Sequence, residues 1–394
     1  MDAAADTKAD AAAINMRTAI VILNWNTEGF LRDFLPGLLQ SVAKVDGAEV
    51  VVADNGSTDG SLELMQREFP EVKTIAFSKN YGFTGGYNKA FNELYGTADS
   101  PLDNAPEYFL LINSDIEVND GWLQPLVNWM DAHPECGACA PKLHSWQDRD
   151  MFEYAGAAGG YLDIFGYPFC RGRILSKLDK DNGQYDKPAD VLWATGACLL
   201  VRSKVYAELG GLDERFFAHM EEIDLCWRMQ LEGWKVTVVP SSVVYHVGGG
   251  TLPAESPFKL FLNFRNNLLM LEKNLAKTYA LHLYKKGYSA SKAARKGLRR
   301  ANLMIFLRRD LDGLACVLYL LRAKWKLAES VEQANAEYLK LRKPAKKAEI
   351  AAYLENFGRK AEVKGLYGKS IVIRSLIKGR NIFSSIKEQD FIKV

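Results

Sequence analysis

Cysteine and long apolar runs are both scarce in this sequence. The chain of 394 residues holds six scattered cysteines, which excludes a disulfide scaffold and favours a reducing compartment. No uninterrupted apolar run is long enough to span a bilayer, so no membrane-spanning helix is predicted. The first residues mix Ala and Asp without an apolar core, which is typical of neither a signal peptide nor a membrane anchor. Residues 1–16 are therefore predicted to form a disordered lead-in.

The charge of the chain is divided unevenly between its two parts. The formal net charge is only +2, and 48% hydrophobic with 25% charged residues is ordinary globular usage. Residues 259–394, however, contain 30 Lys and Arg against 11 Asp and Glu, a net charge of +19, whereas residues 1–258 contain 20 against 37, a net charge of −17. An acidic front and a basic back predict two modules with different partners.

The front module alternates short apolar runs with helical patterns. Its four runs are TAIVILNWN, AEVVVADNGS, VKTIAFS and YFLLINSD, each followed by a polar or amphipathic segment. This alternation predicts an α/β fold with a mainly parallel sheet flanked by helices. Ligands of such sheets bind beyond the carboxyl ends of the strands, so the polar residues that end these runs are candidate site residues.

The back module has the periodicity of amphipathic helices. Leucines recur every three or four residues from Leu303 to Leu321, and a similar pattern begins at Phe261. Residues 331–394 are also predicted to be helical, with breaks near Pro344 and Gly365. Residues 259–394 are therefore predicted to form a basic amphipathic helical domain.

Polar residues and glycines follow the predicted strands. Asn24 and Asn26 end the first run, Asp54 ends the second, and Asp115 follows the fourth. A carboxylate at such a strand end can accept hydrogen bonds from a nucleotide, and one or two carboxylates suffice for a cation that also binds substrate phosphates. Capping of the following turn is an equally valid interpretation of each residue alone.

Three acidic residues crowd one segment. Glu221, Glu222 and Asp224 lie within four positions, and like charges at such spacing raise the pKa of a general base. The alternative is a helix N-terminus, where acidic residues complement the dipole. His246 ends a later apolar run, and its imidazole is a potential metal ligand or a structural residue.

The order of these motifs resembles that of one enzyme family. Seven segments occur without interruption: VILNWN, VVADNGSTDGS, NYGFTGGYN, LLINSDIEV, WATGACLLVRS, GGLDERFFAHMEEIDLCWR and YHVGG. Residues 17–258 thereby resemble the inverting glycosyltransferases of family 2, especially their bacterial rhamnosyl- and galactofuranosyltransferase branch. The resemblance implies a GT-A fold, which is a Rossmann-like sheet flanked by helices, with the basic helical region appended.

The resemblance implies a donor site at the strand ends. Asp54 would hold the nucleotide base, and Asp115 with His246 would bind Mg²⁺ or Mn²⁺. Asp115 belongs to a DxD-type element in which the amide Asn113 replaces the first acid. The residues expected to line the nucleotide-sugar are Asn24, Asn26, Asp54, Asn80, Gly82, Phe83, Gly86, Asn88, Asn113 and Ser114.

The catalytic base implied by the resemblance lies in the acidic segment. The usual Glu-Asp pair of the family is Glu221-Glu222 here, and the second position, Glu222, is expected to take the acceptor proton. Glu221 remains the alternative. The acceptor side is expected to be shaped by Trp193, Thr195 and Gly196.

The predicted function is metal-dependent, inverting transfer from dTDP-rhamnose or a UDP-sugar to a hydroxyl of a lipid-linked bacterial surface glycan. The basic helices would hold the enzyme on the anionic inner face of the cell membrane, from the cytoplasmic side. A homodimer is possible. A non-catalytic nucleotide-sugar-binding protein is one alternative. A nucleic-acid-binding protein is another, although the sequence shows no nucleic-acid motif and no nucleic-acid partner is expected.

Overall fold

The computed structural model describes residues 16–248, 256–379, 382–392 and 394. The predicted lead-in falls outside the described residues except for its last position. The strands are β1 (Thr18–Asn24), β2 (Ala48–Asp54), β3 (Lys73–Ala76), β4 (Tyr108–Ile112), β5 (Ile116–Val118), β6 (Cys136–Ser145), β7 (Gly160–Asp163), β8 (Pro168–Cys170), β9 (Arg173–Ile174), β10 (Lys177–Leu178), β11 (Ala189–Asp190), β12 (Cys198–Arg202), β13 (Lys235–His246) and β14 (Leu366–Tyr367).

The helices lie between and after these strands. They are α1 (Glu28–Val42), α2 (Ser61–Glu68), α3 (Gly82–Tyr95), α4 (Leu123–Ala132), α5 (Ser203–Glu208), α6 (Glu221–Leu231), α7 (Pro257–Lys285), α8 (Ala290–Leu321), α9 (Trp325–Leu341), α10 (Lys347–Phe357), α11 (Ile371–Lys378) and α12 (Ile382–Ser385). None of the described helices is both long enough and apolar enough to cross a bilayer.

The central sheet confirms the predicted α/β class. Its order is β11-β13-β6-β12-β4-β1-β2-β3, and β5 branches from the end of β13. The four strands β3, β2, β1 and β4 are parallel, as the alternation with helices predicts. β12 lies antiparallel between β4 and β6. Composition did not reveal this insertion, because buried strands of either direction consist of the same apolar residues.

The sheet is buried on both faces. Alternate residues of β1 point to opposite sides, so that Ala19 and Val21 join one core and Ile20 and Ile22 join the other. The second core is closed by α1, α2 and α4. The first core holds α3 and α6 and also residues of α7 and α8. The basic helical region therefore shares a core with the sheet.

The helical prediction for the back of the chain is confirmed with one difference. α9 ends before Pro344 and α10 follows it, as the sequence indicates. At the Gly365 break the chain forms the short strand β14, which pairs with β7 in a second sheet of order β10-β9-β8-β7-β14. The division of the chain at residue 258 into two domains stays a prediction.

Candidate active site

The carboxyl ends of β1 and β2 form one wall of the candidate site. Asn24 lies opposite Asp54 in the parallel register, and its Nδ2 donates to Asp54 Oδ2 at 2.8 Å. The backbone N–H of Ser57 donates to Asp54 Oδ1 at 2.9 Å. Asn26 has a φ of 54°, and its Oδ1 accepts the N–H of Thr58 at 2.7 Å. These bonds hold the buried Asp54 carboxylate and join the two strand-end loops.

The end of β4 continues this wall. Ser114 Oγ lies 2.9 Å from Thr27 Oγ1, which in turn donates to Asn24 Oδ1 at 2.5 Å. The backbone N–H of Asn113 donates to the carbonyl oxygen of Ala197 at 2.9 Å. The structure therefore brings the predicted donor-side residues of three strands together.

The Gly-rich segment closes over the same edge. Asn80 Oδ1 accepts the N–H of Gly82 at 2.7 Å and the Nδ2 of Asn55 at 3.0 Å. Gly82 has a φ of 74°, and a Cβ there would lie 2.5 Å from Phe217 Cδ2, so both conformation and space require glycine. α3 begins at this residue, and Phe83 follows in its first turn.

A charged cluster lies where β13 pairs with β5. His246 Nε2 lies 3.1 Å from Asp115 Oδ1 and 3.4 Å from Asn113 Nδ2. On the other side of the ring, Nδ1 lies 3.3 Å from Glu153 Oε1, within ion-pair distance but outside hydrogen-bond geometry. All three charged side chains are buried. We call Asp115, His246 and Glu153 the cation corner.

Mutual charge sets the protonation of this corner. Burial lowers the pKa of His246, but Asp115 and Glu153 outweigh burial and raise that pKa to about 10. Burial raises the pKa of Asp115, but the hydrogen bond and charge of His246 outweigh it and hold the pKa below its ordinary value. Without another cation the corner therefore contains an imidazolium between two carboxylates.

The donor set of the corner fits a divalent cation that is shared with a substrate. Asp115 and His246 Nε2 would hold the ion, while Glu153 would orient the ring through Nδ1. Within the described ranges, no three His, Cys, Asp or Glu side chains form a closed metal site. Two protein ligands suit Mg²⁺ or Mn²⁺ when phosphate oxygens supply further ligands.

The predicted base lies at the start of α6, after a strained turn. Phe217, His219 and Met220 have φ values of 63°, 70° and 72°, a region that residues with a side chain rarely occupy. Each such residue costs about 1–3 kcal/mol and persists only where its surroundings enforce it. The turn ends at Glu221 and Glu222, which we call the base corner.

Two side chains of α7 hold this turn. Nδ2 of Asn266 donates to the carbonyl oxygens of Phe216 and Ala218 at 2.8 and 2.7 Å. It also lies within hydrogen-bonding distance of the carbonyl of His219, at 2.8 Å. Arg265 Nη2 donates to the carbonyl of Phe216 at 2.9 Å. We call Asn266 and Arg265 the α7 clamp, because their buried side chains fix the backbone that presents the base corner.

Burial raises the pKa values of the two carboxyl groups in the base corner. Oε2 of Glu221 and Oε2 of Glu222 are both enclosed, without a hydrogen-bond partner among the described residues. Burial raises the pKa of Glu222 to about 7. Burial and the charge of Glu222 raise the pKa of Glu221 well above its ordinary value. Glu222 is only partly buried whereas Glu221 is 4% exposed, so Glu222 is the more accessible proton acceptor.

Glu222 faces the predicted donor and acceptor sides together. A Cβ on Gly196 would lie 3.4 Å from Glu222 Cβ and 3.3 Å from Phe83 Cζ. Gly196 precedes Ala197, whose carbonyl binds the end of β4. Glu222, the predicted general base, therefore lies where the Gly-rich segment meets the strand ends.

Asp224 has a different role from its acidic neighbours. Its Oδ2 pairs with Arg228 at 2.7 Å and with Lys273 at 3.0 Å, and its Oδ1 accepts from Asn274 at 2.8 Å. Burial raises the pKa of Asp224, but the two cations outweigh burial and hold that pKa below its ordinary value. Asp224 joins α6 to α7.

The acceptor side differs from the sequence-based expectation. Trp193 is 2% exposed and its Nε1 donates to the carbonyl of Tyr161 at 3.1 Å, so the ring belongs to the core and presents no surface to an acceptor. Thr195 is also buried, and its Oγ1 accepts the N–H of Ala197. All residues of this segment are buried, and the chain turns at Gly196 before β12 begins. Gly196 alone of the three lies beside Glu222.

Asn88 makes its contacts away from the strand ends, whereas Gly86 packs against the end of β1 and lies beside Asn55, which follows β2. Asn88 Nδ2 donates to the carbonyl of Leu212 at 2.8 Å, and its Oδ1 accepts from Tyr206 at 2.7 Å. It therefore fixes a turn on the outer side of α3. A Cβ on Gly86 would lie 2.7 Å from Leu23, so this glycine permits close packing of α3 on β1. The ligand contacts assigned to the remaining predicted residues stay predictions.

Two residues of the site were missed by sequence reasoning. Glu153 lies in a loop without regular pattern, and no sequence signal distinguished it from other acidic residues. Asn266 offered a signal that was not used, because it interrupts an apolar helical pattern beside Arg265 and Asn267. Polar residues in such a buried position need partners, and these were not visible from sequence.

Known proteins resemble this chain in sequence and fold. N-acetylglucosaminyl-diphospho-decaprenol L-rhamnosyltransferase of Mycobacterium tuberculosis is 29% identical over 237 residues, which cover 58% of this chain and 75% of the relative. Rhamnosyltransferase WbbL of Escherichia coli is 22% identical over 231 residues, which cover 58% of this chain and 82% of the relative.

Among solved structures, the crystal structure of GalNAc-T7 with UDP, GalNAc and Mn²⁺ superposes with a TM-score of 0.51 at 15% identity. The match covers 73% of this chain and 54% of the other, so the chain spans about half of that protein. This likeness concerns the fold, which is of the GT-A type.

Two family profiles match the sequence. The profile described as "Glycosyl transferase family 2" matches residues 19–210, and that described as "Glycosyltransferase like family 2" matches residues 150–305. Together they contain the strand ends, both corners and the α7 clamp. The chain belongs to glycosyltransferase family 2.

Proposed function

We propose that this protein is a metal-dependent, inverting glycosyltransferase that transfers a sugar from a nucleotide-sugar to a hydroxyl of a growing bacterial surface glycan. The observation that carries the proposal is the position of Glu222, a partly buried carboxyl with a pKa of about 7 beside Gly196 and Phe83. A base with a pKa near the working pH is suited to take a proton from a sugar hydroxyl.

The chemical step is a single in-line displacement. The acceptor oxygen forms a bond to the anomeric carbon while the bond from that carbon to the diphosphate oxygen breaks. The acceptor proton moves to the carboxylate of Glu222, and a nucleoside diphosphate leaves. Attack opposite the leaving group inverts the anomeric configuration. The enclosure of the Glu222 carboxylate supports this role, because few other donors compete for its free oxygen.

The cation corner serves the leaving group. Asp115 and His246 would hold Mg²⁺ or Mn²⁺, which when bound offsets the charge that develops on the diphosphate. Glu153 keeps the histidine ring oriented. Asp54 and its partner Asn24 lie at the adjacent strand ends, where the base and ribose of the donor would bind.

The donor that we favour is dTDP-rhamnose, with a UDP-sugar as the alternative. Support comes from the relatives in Mycobacterium tuberculosis and Escherichia coli, both of which carry rhamnosyltransferase in their names. The name of the first also contains a decaprenol diphosphate, which supports a lipid-linked acceptor. An enzyme with such an acceptor would work on the inner face of the cell membrane, as a peripheral protein. The homodimer and the lack of a nucleic-acid partner stay predictions.

A thermal-shift screen followed by a transfer assay tests this function. The full chain is mixed with dTDP-rhamnose, UDP-sugars and the free diphosphates, each with and without Mn²⁺. Binding to the native state raises Tm by mass action. We expect one base class to stabilise the protein, more strongly with Mn²⁺, and the matching sugar to reach a soluble glycan acceptor.

The outcomes separate the competing functions. Stabilisation without transfer to any acceptor would favour a nucleotide-sugar-binding protein. A folded sample that responds to no nucleotide would contradict the donor site at Asp54. Equal stabilisation with and without Mn²⁺ would contradict the cation corner while leaving transfer itself intact.

A further inference from the structure

α8 carries an apolar stripe on its outer surface. The sequence pattern alone allowed these residues to be buried, but the structure leaves them exposed, with Leu321 reaching 79%. The α8 stripe consists of Leu303, Phe306, Leu307, Leu314, Val317, Leu318 and Leu321.

These side chains lie on one face of a single helix. Their spacing of three and four residues keeps them within a narrow arc, and the span from Leu303 to Leu321 is about 27 Å at 1.5 Å per residue. Asp310 and Gly313 are the polar and small interruptions on this face. Trp325 extends the stripe at the start of α9 and is 66% exposed. An exposed apolar surface of this length, even with these two interruptions, marks an interaction site.

The same face becomes basic toward the start of α8. Lys292, Lys296, Arg299 and Arg300 are all exposed and occupy the helical positions that continue the stripe. We call these four residues the basic turns. The outer face of α8 therefore has a cationic end and an apolar end. An amphipathic helix with this distribution suits the boundary between anionic headgroups and acyl chains.

A second apolar element lies on the neighbouring α11. Ile373, Leu376 and Ile377 are exposed, and the last two are 79% and 74% exposed. α11 is connected to the buried side of α8, opposite the stripe, through Tyr167, whose ring packs under the guanidinium of Arg308 at 4.2 Å, so α11 is not assigned to the docking face. Tyr167 also packs in the cluster that contains Ile371.

Arg308 does not belong to the charged surface, although it is adjacent to Arg309 in the sequence. It is 3% exposed, pairs with Asp312 at 2.8 Å and donates to Asn267 Oδ1 at 2.5 Å. The charge of Arg308 is therefore neutralised inside the protein by Asp312. The bond to Asn267 also places the middle of α8 one residue away from the Asn266 member of the α7 clamp.

The charges around the α8 stripe favour an anionic membrane over a second copy of the chain as its binding partner. A second copy of the chain, packed on the α8 stripe in either direction, would bring basic turns toward the basic turns or toward Arg322 and Lys326 of its partner. Like charges at such contacts oppose pairing. Anionic headgroups neutralise the same residues, and the interface between water and lipid also favours an exposed tryptophan.

We propose that the α8 stripe inserts into the surface of an anionic bilayer while the basic turns contact its headgroups. This inference rests on the proposed lipid-linked acceptor, because docking would place the active site beside a membrane-held substrate. The inference is more specific than attachment of a basic region to a membrane, because it assigns the membrane contact to the outer face of α8.

Vesicle sedimentation with the full chain tests this face. The vesicles contain phosphatidylcholine alone or equal parts of phosphatidylcholine and phosphatidylglycerol. We expect binding only to the anionic vesicles. Replacing Leu314, Leu318 and Leu321 by Gln should weaken binding at least roughly tenfold, since exposed side chains lose their insertion without losing core contacts. The matched control replaces three exposed leucines elsewhere, Leu102, Leu178 and Leu339, by Gln and should bind like the wild type.

A second variant separates charge from insertion. Replacing Lys296, Arg299 and Arg300 by Gln should weaken binding by roughly fivefold per charge, and added salt should reduce this difference. Unchanged vesicle binding of the leucine variant would overturn the proposal, as would equal loss in the control. A wild type that binds no vesicles would also overturn it. A dimer that dissociates in the leucine variant would assign the face to a second copy instead.

The failure of docking and the failure of the enzymatic function are distinguishable. Each variant is also assayed for nucleotide-dependent thermal shift and for transfer to a soluble acceptor. We expect both to be unchanged, because the substituted side chains lie outside the active site. A variant that loses vesicle binding but still transfers sugar to a soluble acceptor would thus show that the substituted residues act in docking and not in catalysis.

Discussion

The cation corner and the base corner contain the same kind of side chain in opposite states. In the cation corner, His246 lies between two carboxylates and the charges compensate one another. In the base corner, Glu221 and Glu222 lie together, and the enclosed Oε2 of each has no hydrogen-bond partner in the part of the chain that the structure describes. Paired carboxylates stay ionised and bind cations, whereas unpaired buried ones take up protons. The surroundings of the carboxyl groups therefore suit one corner to cation binding and the other to proton transfer.

The two corners also differ in what holds them. The cation corner is fixed by the pairing of β13 with β5 and by its own charges. The base corner depends on three residues in left-handed conformation and on a clamp from α7. One corner is complete within residues 17–258, and the other requires side chains from beyond residue 258.

The largest expected effect comes from removing the base. Glu222→Gln should lower kcat by about 10²–10⁴ because the acceptor proton loses its carboxylate. Stabilisation by the nucleotide should stay nearly unchanged, since the donor binds at the strand ends. Glu222→Asp keeps the carboxyl group and should retain part of the activity. Loss of nucleotide-dependent thermal shift in a folded Glu222→Gln variant would contradict the assignment.

Releasing the clamp should be the next largest effect. Asn266→Ala removes the side-chain donor from the carbonyl oxygens of Ala218 and His219, and a small displacement of Glu222 should lower kcat by up to about 10² with little change in the KM for donor. The pH profile should also move, because a displaced Glu222 gains water and its pKa falls toward the ordinary value.

Asn263→Ala is the matched control on the same helix, since that amide donates to the carbonyl of Lys259, one turn earlier in its own helix. It should leave kcat and the pH profile unchanged. A lower Tm for Asn266→Ala with an unaltered pH profile and normal kcat would reduce Asn266 to a purely structural residue.

The cation corner should respond to loss of Glu153. Glu153→Gln removes the negative charge beside His246 Nδ1, and the Mn²⁺ concentration needed for half-maximal thermal stabilisation should rise about 10–100-fold. Glu117→Gln is the control, because Glu117 lies nearby on β5 but pairs with Arg149. Equal Mn²⁺ affinity in the two variants would remove Glu153 from the site.

The smallest effect expected is that of pH. Glu222 accepts a proton only when ionised, so the rate should rise with pH through about 7 and be roughly tenfold below its plateau at pH 6. The raised pKa means that the folded state binds this proton more tightly than the unfolded chain, so ionisation destabilises the fold as pH rises. Glu222→Gln should therefore melt higher than the wild type, by a difference that is absent below about pH 4, grows between about pH 4.5 and 7 and is nearly complete above pH 7.

The closeness of the strand-end residues could be predicted from sequence for a physical reason, while their donor contacts stay predictions. Strand ends follow from apolar runs, and parallel neighbours place those ends side by side, so Asn24, Asp54 and Asp115 had to be close. Trp193 is buried instead of exposed, which the sequence could not decide because an aromatic residue next to a glycine turn suits a binding surface and a core equally. Glu153 and Asn266 act through contacts across long sequence separations, and a single sequence does not record those.

The exposure of the α8 stripe was equally beyond sequence reasoning. A leucine every three or four residues shows that one face of a helix is apolar, but not what covers it. The structure buries the small residues of α8 against α7 and turns the leucines outward.

The α7 clamp has a consequence for the synthesis of the protein. Residues are made in order, so the strand ends and the cation corner leave the ribosome before α7 does. The turn before Glu222 lacks its restraints until Arg265 and Asn266 have left the ribosome and docked. A nascent chain therefore cannot position Glu222 before residue 266 has been made, so catalytic competence would be among the last properties that the growing chain acquires.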